Sequence, residues 1–475
     1  MPSPLTAARR LRVGDLAIDP SSYVDPHGFV FRYEGGLFRA IRKDHEDYYR
    51  GLFANGTIDR LHDGFGLVES RITSLTIPEI ECSLVLQHRE IAPLNYCTEW
   101  CPSMLKAASV ATLELNLELI GHGAILQDAY PWNIVFEGPR PVFVDFTSIA
   151  PVGSEMLWPA YQQFLNFFSY PLRLCADGQG KVVRLMLQDH INGIGLGDLY
   201  RCLGGGFKLR HPVAAASMYL AIKAGGRVQS RAESKSRMQS MLESVSVASD
   251  MRGLRERFLK GLLAKAERVK VAVAGSTWRD YYDNVDADTG AKVGRVRALL
   301  EALEPRSVLD VGCNTGCFSI LAAESGAKVT AIDSSEECVE ALYRTAETRA
   351  LDVLPLIADV TTPTPALGHL GRQFPSLIER VRSEVVLCLG LMHHLHVVAR
   401  QSFDRIAALF EALASKAVIF EYVDSTDGNM HLIDHGRRIE YSLETVTGAL
   451  ERYFSIRVFD SDRPTRRLLL CTKNP

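Results

Sequence analysis

An excess of charge of either sign is what this sequence most plainly lacks: 53 Lys and Arg stand against 56 Asp and Glu, a formal net charge of -3. That balance provides no basic footprint for a nucleic-acid backbone and no polycationic face for an anionic membrane, so neither is expected as a partner. No apolar run reaches the roughly eighteen residues a helix needs to span a bilayer. Met1 to Arg12 is basic, but no apolar stretch follows it. It therefore does not read as a secretory signal, and Asp15 and Asp19 argue against a transit peptide. Cysteine is sparse, ten residues in 475. The pairs Cys97/Cys101 and Cys313/Cys317 have no second pair to complete a zinc-like array. Internal repeats and low-complexity tracts are missing too, and a cytoplasmic protein with reduced thiols is expected.

The chain is too long for one ordinary core, so two or three domains are expected. Residues 22 to 95 contain short strand-like runs such as Gly28-Phe29-Val30-Phe31 and Cys82-Ser83-Leu84-Val85-Leu86. Ser103 to Ile120 carries Met104, Leu105, Ala108, Leu113 and Leu117 at helical spacing, which predicts a helix of about five turns. Two strands, around 133–136 and 141–145, flank a Gly138-Pro139 turn. From Glu155 to Ala274 the pattern is helical, with solvated faces expected over 238–251 and 252–270. Gly275-Ser276 reads as a boundary, after which helix and buried strand alternate as in a parallel α/β sheet. The expected organisation is an α+β region over 1–154 and a helical region over 155–274, either part of the first unit or separate. A Rossmann-like α/β domain over 275–475 completes it.

The most informative stretch is Ser307-Val308-Leu309-Asp310-Val311-Gly312-Cys313-Asn314-Thr315-Gly316. A short buried strand ends in a glycine turn, and a helix starts at Phe318. Such a turn alone is shared by many nucleotide sites. Two further acids sharpen it. The next strand, Lys328 to Ile332, ends at Asp333, placed to accept from both ribose hydroxyls. A third strand, near 354–357, leads to Asp359, which can accept from an adenine amino group while Val360 packs on the ring. The turn has no third glycine for a pyrophosphate, and the Asp310 carboxylate would repel one while suiting an ammonium.

From about Trp278 onward the chain resembles the class I S-adenosylmethionine-dependent methyltransferases. Asn314 replaces the usual central glycine, and asparagine tolerates left-handed backbone. The resemblance implies S-adenosyl-L-methionine as cofactor, held by Asp310, Gly312, Asn314, Gly316, Asp333, Ser334, Asp359, Val360 and Leu389. The fourth strand, Glu384 to Leu389, runs into Gly390-Leu391-Met392-His393-His394, and the fifth ends at Glu421. The carboxyl ends of such strands form the ligand crevice. His393, His394 and Glu421 are therefore the candidate catalytic residues, with the choice between the histidines open. A hydroxyl of a small molecule or glycan is the expected acceptor. Arg466 and Arg467, between the last two strands, are expected in solvent.

In the first half, Leu126-Gln127-Asp128-Ala129-Tyr130-Pro131-Trp132-Asn133 is followed by Asp145-Phe146. This resembles the catalytic loop and metal-binding acid of protein and aminoglycoside kinases, in a degenerate form. Carried across, Asp128 would be a base and Asn133 and Asp145 ligands of magnesium-ATP. Glu34-Gly35-Gly36-Leu37 is a poor candidate for a phosphate loop. Lys43 or Arg42 is a candidate for the phosphate-gripping cation, with Glu46 too close to be its helix partner. Tyr96-Cys97-Thr98-Glu99-Trp100, Ser103-Met104-Leu105-Lys106 and Tyr161-Gln162-Gln163-Phe164 also resemble a bacterial family of two-part methyltransferases that includes nodulation-associated host-specificity proteins. Three functions follow as expectations. The first is a methyltransferase whose first half recognises the acceptor. The others are a bifunctional kinase-methyltransferase and a binding protein that only senses the cofactor. The acceptor, the methylated atom and the oligomeric state are not encoded legibly.

Overall fold

The computed structural model describes residues 9–22, 25–153, 158–225, 251–273, 275, 289–428, 430, 433 and 441–474. The expected solvated helix over 238–250, the boundary residue Ser276 and Trp278 lie outside them.

The chain opens on an antiparallel five-stranded sheet: β1 (Ala17–Ile18), β2 (Gly28–Tyr33), β3 (Gly36–Ile41), β4 (Ser70–Ile72) and β5 (Leu84–His88), in the order β1-β2-β3-β5-β4. Glu34 and Gly35 join β2 to β3 with φ of 46° and 77°, the left-handed pair that a tight two-residue hairpin demands. Helices α1 (Lys43–Ala54) and α2 (Thr57–Phe65) follow β3. Helix α3 (Pro102–Gly121), predicted from its spacing, begins with proline at its first position, where the missing N–H is not needed. Its apolar residues surround it rather than form one stripe, because it runs through the middle of the core. Beyond it come β6 (Ala124–Leu126), β7 (Ile134–Glu137), β8 (Arg140–Phe143) and β9 (Ile149–Pro151). The Gly138-Pro139 turn joins β7 to β8 as expected, with Arg140 opposite Glu137.

The helical segment over 165–175 and α4 (Met251–Arg268) pack onto α3, and the short helices up to 225 pack around that segment and one another. Phe164, Phe168 and Leu172 enter the same core as Trp100, Leu105 and Phe136. Lys106 of α3 caps the end of α4 by donating to the carbonyls of Glu267 (2.7 Å) and Val269 (3.0 Å).

Helix α5 (Thr289–Leu303) leads into alternating strands and helices: β10 (Ser307–Val311), α6 (Cys317–Glu324), β11 (Lys328–Asp333), α7 (Glu336–Arg349), β12 (Val353–Ile357), β13 (Ser383–Cys388), α8 (Phe403–Leu413), β14 (Ala414–Val423), α9 (Leu443–Leu450), β15 (Phe454–Asp460) and β16 (Arg466–Lys473). The sheet order is β12-β11-β10-β13-β14-β16-β15. All neighbours are parallel except β16, which is antiparallel to both β14 and β15. β13 is buried along its whole length, as expected of a strand covered on both faces. Pro355 sits on β12, an edge strand, where its missing donor costs little. The order reverses at β10/β13, so the ligand crevice of this doubly wound sheet opens there.

The two halves share a core. Val339, Tyr343, Leu354 and Leu356 of the second half lie in one apolar cluster with Trp100, Leu105 and Phe136 of the first. Arg380 and Glu99 form an ion pair at 2.5 Å whose side chains are 3% and 1% exposed, and the guanidinium lies 4.1 Å over the Tyr96 ring. Buried Glu340 accepts from the amide and hydroxyl of Ser103, and Arg184 pairs with Glu336. Among the described residues no helix is long and apolar enough to cross a membrane.

Candidate active site

β10 ends in the glycine turn. Gly312 and Gly316 have φ of 76° and 90°, and Asn314, at 51°, occupies the left-handed region that its residue type tolerates. A Cβ on Gly316 would meet Leu342 Cδ1 of α7 at 2.2 Å, so the turn comes this close to that side chain with glycine here. The turn is tied to β11: the Gly312 N–H donates to the Ile332 carbonyl at 2.8 Å, and the Asn314 N–H donates to Asp333 Oδ2 at 2.9 Å. Asp333 also accepts from the Ser335 N–H at 2.8 Å. Burial raises its pKa, and these backbone bonds counter the shift. These bonds leave the carboxylate room to accept from a ligand.

Asp310 is buried beneath the turn and accepts from Ser319 Oγ at 2.6 Å. Burial pushes its pKa up to about 6. Ser334 is exposed beside Asp333. Asp359, exposed just past β12, is held by the amide and hydroxyl of Thr361 at 2.8 and 2.7 Å, with Val360 buried next to it.

At the end of β13, Leu389 is buried and Gly390 has φ of 68°. His393 is 8% exposed with Nδ1 lacking a hydrogen-bond partner, and its ring lies 4.4 Å from that of His394. Burial lowers both imidazole pKa values, His393 down to about 3, so His393 is neutral at pH 7 and a weak base. Glu421, fully buried at its place in β14, pairs with Lys292 of α5 at 2.6 Å and accepts from Ser461 Oγ at 3.3 Å. Its Oε2 lies 3.7 Å from where a Cβ on Gly390 would stand. Lys292 was not anticipated: it is a single lysine on a helix with no motif around it, 129 residues from its partner. Arg466, expected in solvent, is instead 5% exposed and bonded to buried Asp427 at 3.0 Å. It starts β16 rather than a hairpin tip, and both groups act on the charge state of His393.

The turn residues fit a nucleoside-bearing cation. Gly312 leaves the end of β10 bare beside Leu391, Asp333 retains lone pairs, and the acids near the turn disfavour a pyrophosphate. Residues 287–459 match the model of a methyltransferase domain family. The C-terminal domain is an S-adenosylmethionine-dependent methyltransferase. Nodulation protein NoeA of Rhizobium meliloti (strain 1021) is 26% identical to this methyltransferase over 446 residues, which is 91% of this chain and 90% of its own. Among solved structures, magnesium protoporphyrin IX methyltransferase of Synechocystis PCC 6803 with bound SAH is 22% identical at a TM-score of 0.31. It covers 42% of this chain and 92% of its own. The bifunctional kinase-methyltransferase WbdD is 19% identical at a TM-score of 0.31 and covers 43% of each chain.

A second cleft lies in the first half. Asp128, Asn133 and Asp145 all line it. Asn133 Nδ2 donates to Asp145 Oδ2 at 3.1 Å, and Thr147 Oγ1 donates to Asp145 Oδ1 at 3.1 Å. Burial raises the pKa of Asp128 and of Asp145. Neither candidate phosphate-gripping cation lines it: Lys43 pairs with Glu81 at the surface, 3.1 Å away, and Arg42 is exposed. The cation facing Asp145 is Arg39 of β3, at 3.6 Å, which also pairs with Asp25 at 2.5 Å. Arg39 lies in a stretch of β3 that is buried throughout, and nothing local shows that an acid would meet it. Glu46 is spent on the amides of Ser83 and Leu84, and Glu34 pairs with Arg9 at the hairpin. The guanidinium facing Asp145 weighs against magnesium at this acid. Among the described residues, no three His, Cys, Asp or Glu side chains form a group able to hold a metal ion.

Proposed function

We propose that this methyltransferase acts on a hydroxyl of a small-molecule or glycan acceptor, and that its first half helps to recognise that acceptor. The observation that carries the reading is the neutral histidine pair at the end of β13, beside the bare Gly390 and the buried Glu421. When bound, S-adenosylmethionine supplies an electrophilic methyl group on a sulfonium. Asp333 would hold the ribose hydroxyls, with Ser334 beside it, while Asp359 and Val360 would hold the adenine. Gly312, Asn314 and Gly316 would let the backbone approach, Leu389 would pack at the crevice, and buried Asp310 would favour the ammonium end.

Displacement at the methyl carbon needs the acceptor oxygen in line and its proton removed. His394, whose pKa is lowered by burial alone, would be the base. His393, at about 3, would serve as a neutral hydrogen-bonding neighbour. Glu421, already paired with Lys292, would keep charge and shape under the acceptor rather than carry the proton.

The test is methyl transfer from isotopically labelled S-adenosylmethionine to a panel of hydroxylated acceptors, with calorimetry of S-adenosylhomocysteine alongside. His394→Ala should lower kcat about 100-fold or more, the scale of general-base loss, with S-adenosylhomocysteine affinity unchanged. Unchanged turnover in His394→Ala would remove the base assignment. Unchanged affinity in Asp333→Ala would remove the cofactor assignment.

A second reading, phosphoryl transfer from magnesium-ATP, draws on the convergence of Asp128, Asn133 and Asp145 in one cleft. The Arg39–Asp145 pair weighs against it. Magnesium-dependent ATP turnover abolished by Asp128→Ala would restore it.

A further inference from the structure

The methionine moiety of S-adenosylmethionine ends in an ammonium and a carboxylate. Asp310 suits the ammonium, Asp333 the ribose and Asp359 the adenine, and all three are acids. The carboxylate calls for a cation, and a lysine buried at the crevice is placed to supply one.

Lys292 lies in the first turn of α5, its side chain 6% exposed and its Nζ 2.6 Å from Glu421 Oε2. The ammonium stands 5.2 Å over the ring of Phe318, in the first turn of α6, directly after the glycine turn. Burial dominates the pKa of Asp310 and of His393, and the charge of Lys292 lowers both. Lys292 is thus felt at the ends of β10 and β13 and touches β14, the strands that bound the crevice. Gly390 provides the way in. A Cβ placed there would have one neighbour within 4 Å, Glu421 Oε2 at 3.7 Å. The end of β13 is bare down to the oxygen that Lys292 grips.

Stability alone does not call for an ion pair here, since well-packed apolar side chains often do as well. The bonding of Lys292 also leaves room for a ligand. An ammonium has three donors, and among the described residues Glu421 is the acceptor bonded to this one. Arg466, a buried cation also felt by His393, instead donates to both oxygens of Asp427, at 3.0 and 3.3 Å. The other oxygen of Glu421 accepts from Ser461 Oγ at 3.3 Å, so the carboxylate that holds Lys292 is itself fixed. The surrounding acids then select among anions. A phosphate brings excess negative charge toward Asp310, Asp333 and Glu421, whereas an amino-acid carboxylate arrives with its own ammonium and no net charge.

We propose that Lys292 binds the carboxylate of the cofactor's methionine moiety and that Glu421 positions it to do so. The assignment rests on the preceding functional reading only for the side of the crevice on which the methionine lies.

The experiment is calorimetry on the full-length protein with two ligands, S-adenosylhomocysteine and its decarboxylated analogue, which keeps the amine, the sulfur and the adenosine. Lys292→Met leaves Glu421 buried and alone, so Lys292→Met/Glu421→Leu, which removes both charges, is measured beside it. Wild-type protein is expected to prefer S-adenosylhomocysteine about tenfold or more, the scale of a hydrogen bond to a charged group. Both variants are expected to bind the two ligands within about twofold of each other, because the group that reads the carboxylate is gone. A preference that survives in either variant overturns the proposal, and so does wild-type protein that does not distinguish the ligands. Asp333→Ala is expected to weaken both ligands and leave their ratio unchanged. If it weakens neither, the ribose placement falls, while the ratio in the Lys292 variants still decides the role of Lys292.

Discussion

The two candidate sites of this chain are built from the same residue types but held in different ways. In the methyltransferase domain, Asp333 is positioned by the amides of Asn314 and Ser335, groups of its own turn and of the next one. In the first half, Asp145 is positioned by Asn133, Thr147 and Arg39, the last from a strand about a hundred residues earlier in the chain. Backbone donors leave a carboxylate with its charge and spare lone pairs, ready for a ligand's hydroxyls. A guanidinium neutralises it and excludes a cation from the same place. An acid in a cleft is therefore defined by what already holds it, and the same aspartate supports different ligands on the two sides of this molecule.

The largest expected effect tests whether the two regions are separate at all. Arg380→Ala would leave Glu99 buried and uncompensated, which costs about 3–5 kcal/mol. Urea denaturation should show the loss in both halves together, and an unchanged transition would make the two regions independent.

Next comes a pH effect confined to the methyltransferase side. The Asp310 pKa rises from 3.8 to about 6 on folding, so the folded state binds more protons between those values. Stability of the ligand-free protein then falls as pH rises through that window, by about 3 kcal/mol. Asp310→Asn should flatten this slope in denaturation measured from pH 4 to 6.5. His393 works the other way: its lowered pKa means that stability is lost as pH falls below its ordinary value of 6.5. That contribution should remain in Asp310→Asn and disappear in His393→Gln.

Asp333→Ala removes hydrogen bonds to a charged group, about 1.5–3 kcal/mol, and should weaken S-adenosylhomocysteine roughly 10- to 150-fold by calorimetry. Asp145→Ala should leave that affinity unchanged. Equal effects would erase the distinction between the clefts. The smallest change concerns the turns. Gly35→Ala meets no neighbouring atom but must hold φ of 77°, a strain of about 1 kcal/mol. Gly316→Ala should cost at least twice that, because Leu342 stands in its way.

Legibility followed the same division. The glycine turn, Asp333, Asp359 and the buried strands could be read from the chain because a parallel strand covered on both faces is a continuous apolar run, and a left-handed turn needs glycine or asparagine. Asp128, Asn133 and Asp145 could be read as a group because they surround one short hairpin. Arg39, Lys292 and the burial of Arg466 could not. Each is a lone basic residue whose meaning comes from an acid on a distant element, and local sequence treats such a residue as solvated. The same holds for Arg380 and Glu99, 281 positions apart. The helices between 161 and 225 were predicted as helices, but only tertiary packing reveals that Phe164 and Phe168 belong to the core of the first half.

The outer strand of the methyltransferase sheet carries one more implication. β12 ends the sheet, and its Leu354 and Leu356, with Tyr343 from α7, are sealed beneath the first half. A domain cut out at residue 275 would present those side chains to water along an open strand edge, the arrangement that recruits other chains into aggregates. On the ribosome the first half emerges earlier and is already there to cover that edge. It thus shields apolar surface that the C-terminal half alone would expose.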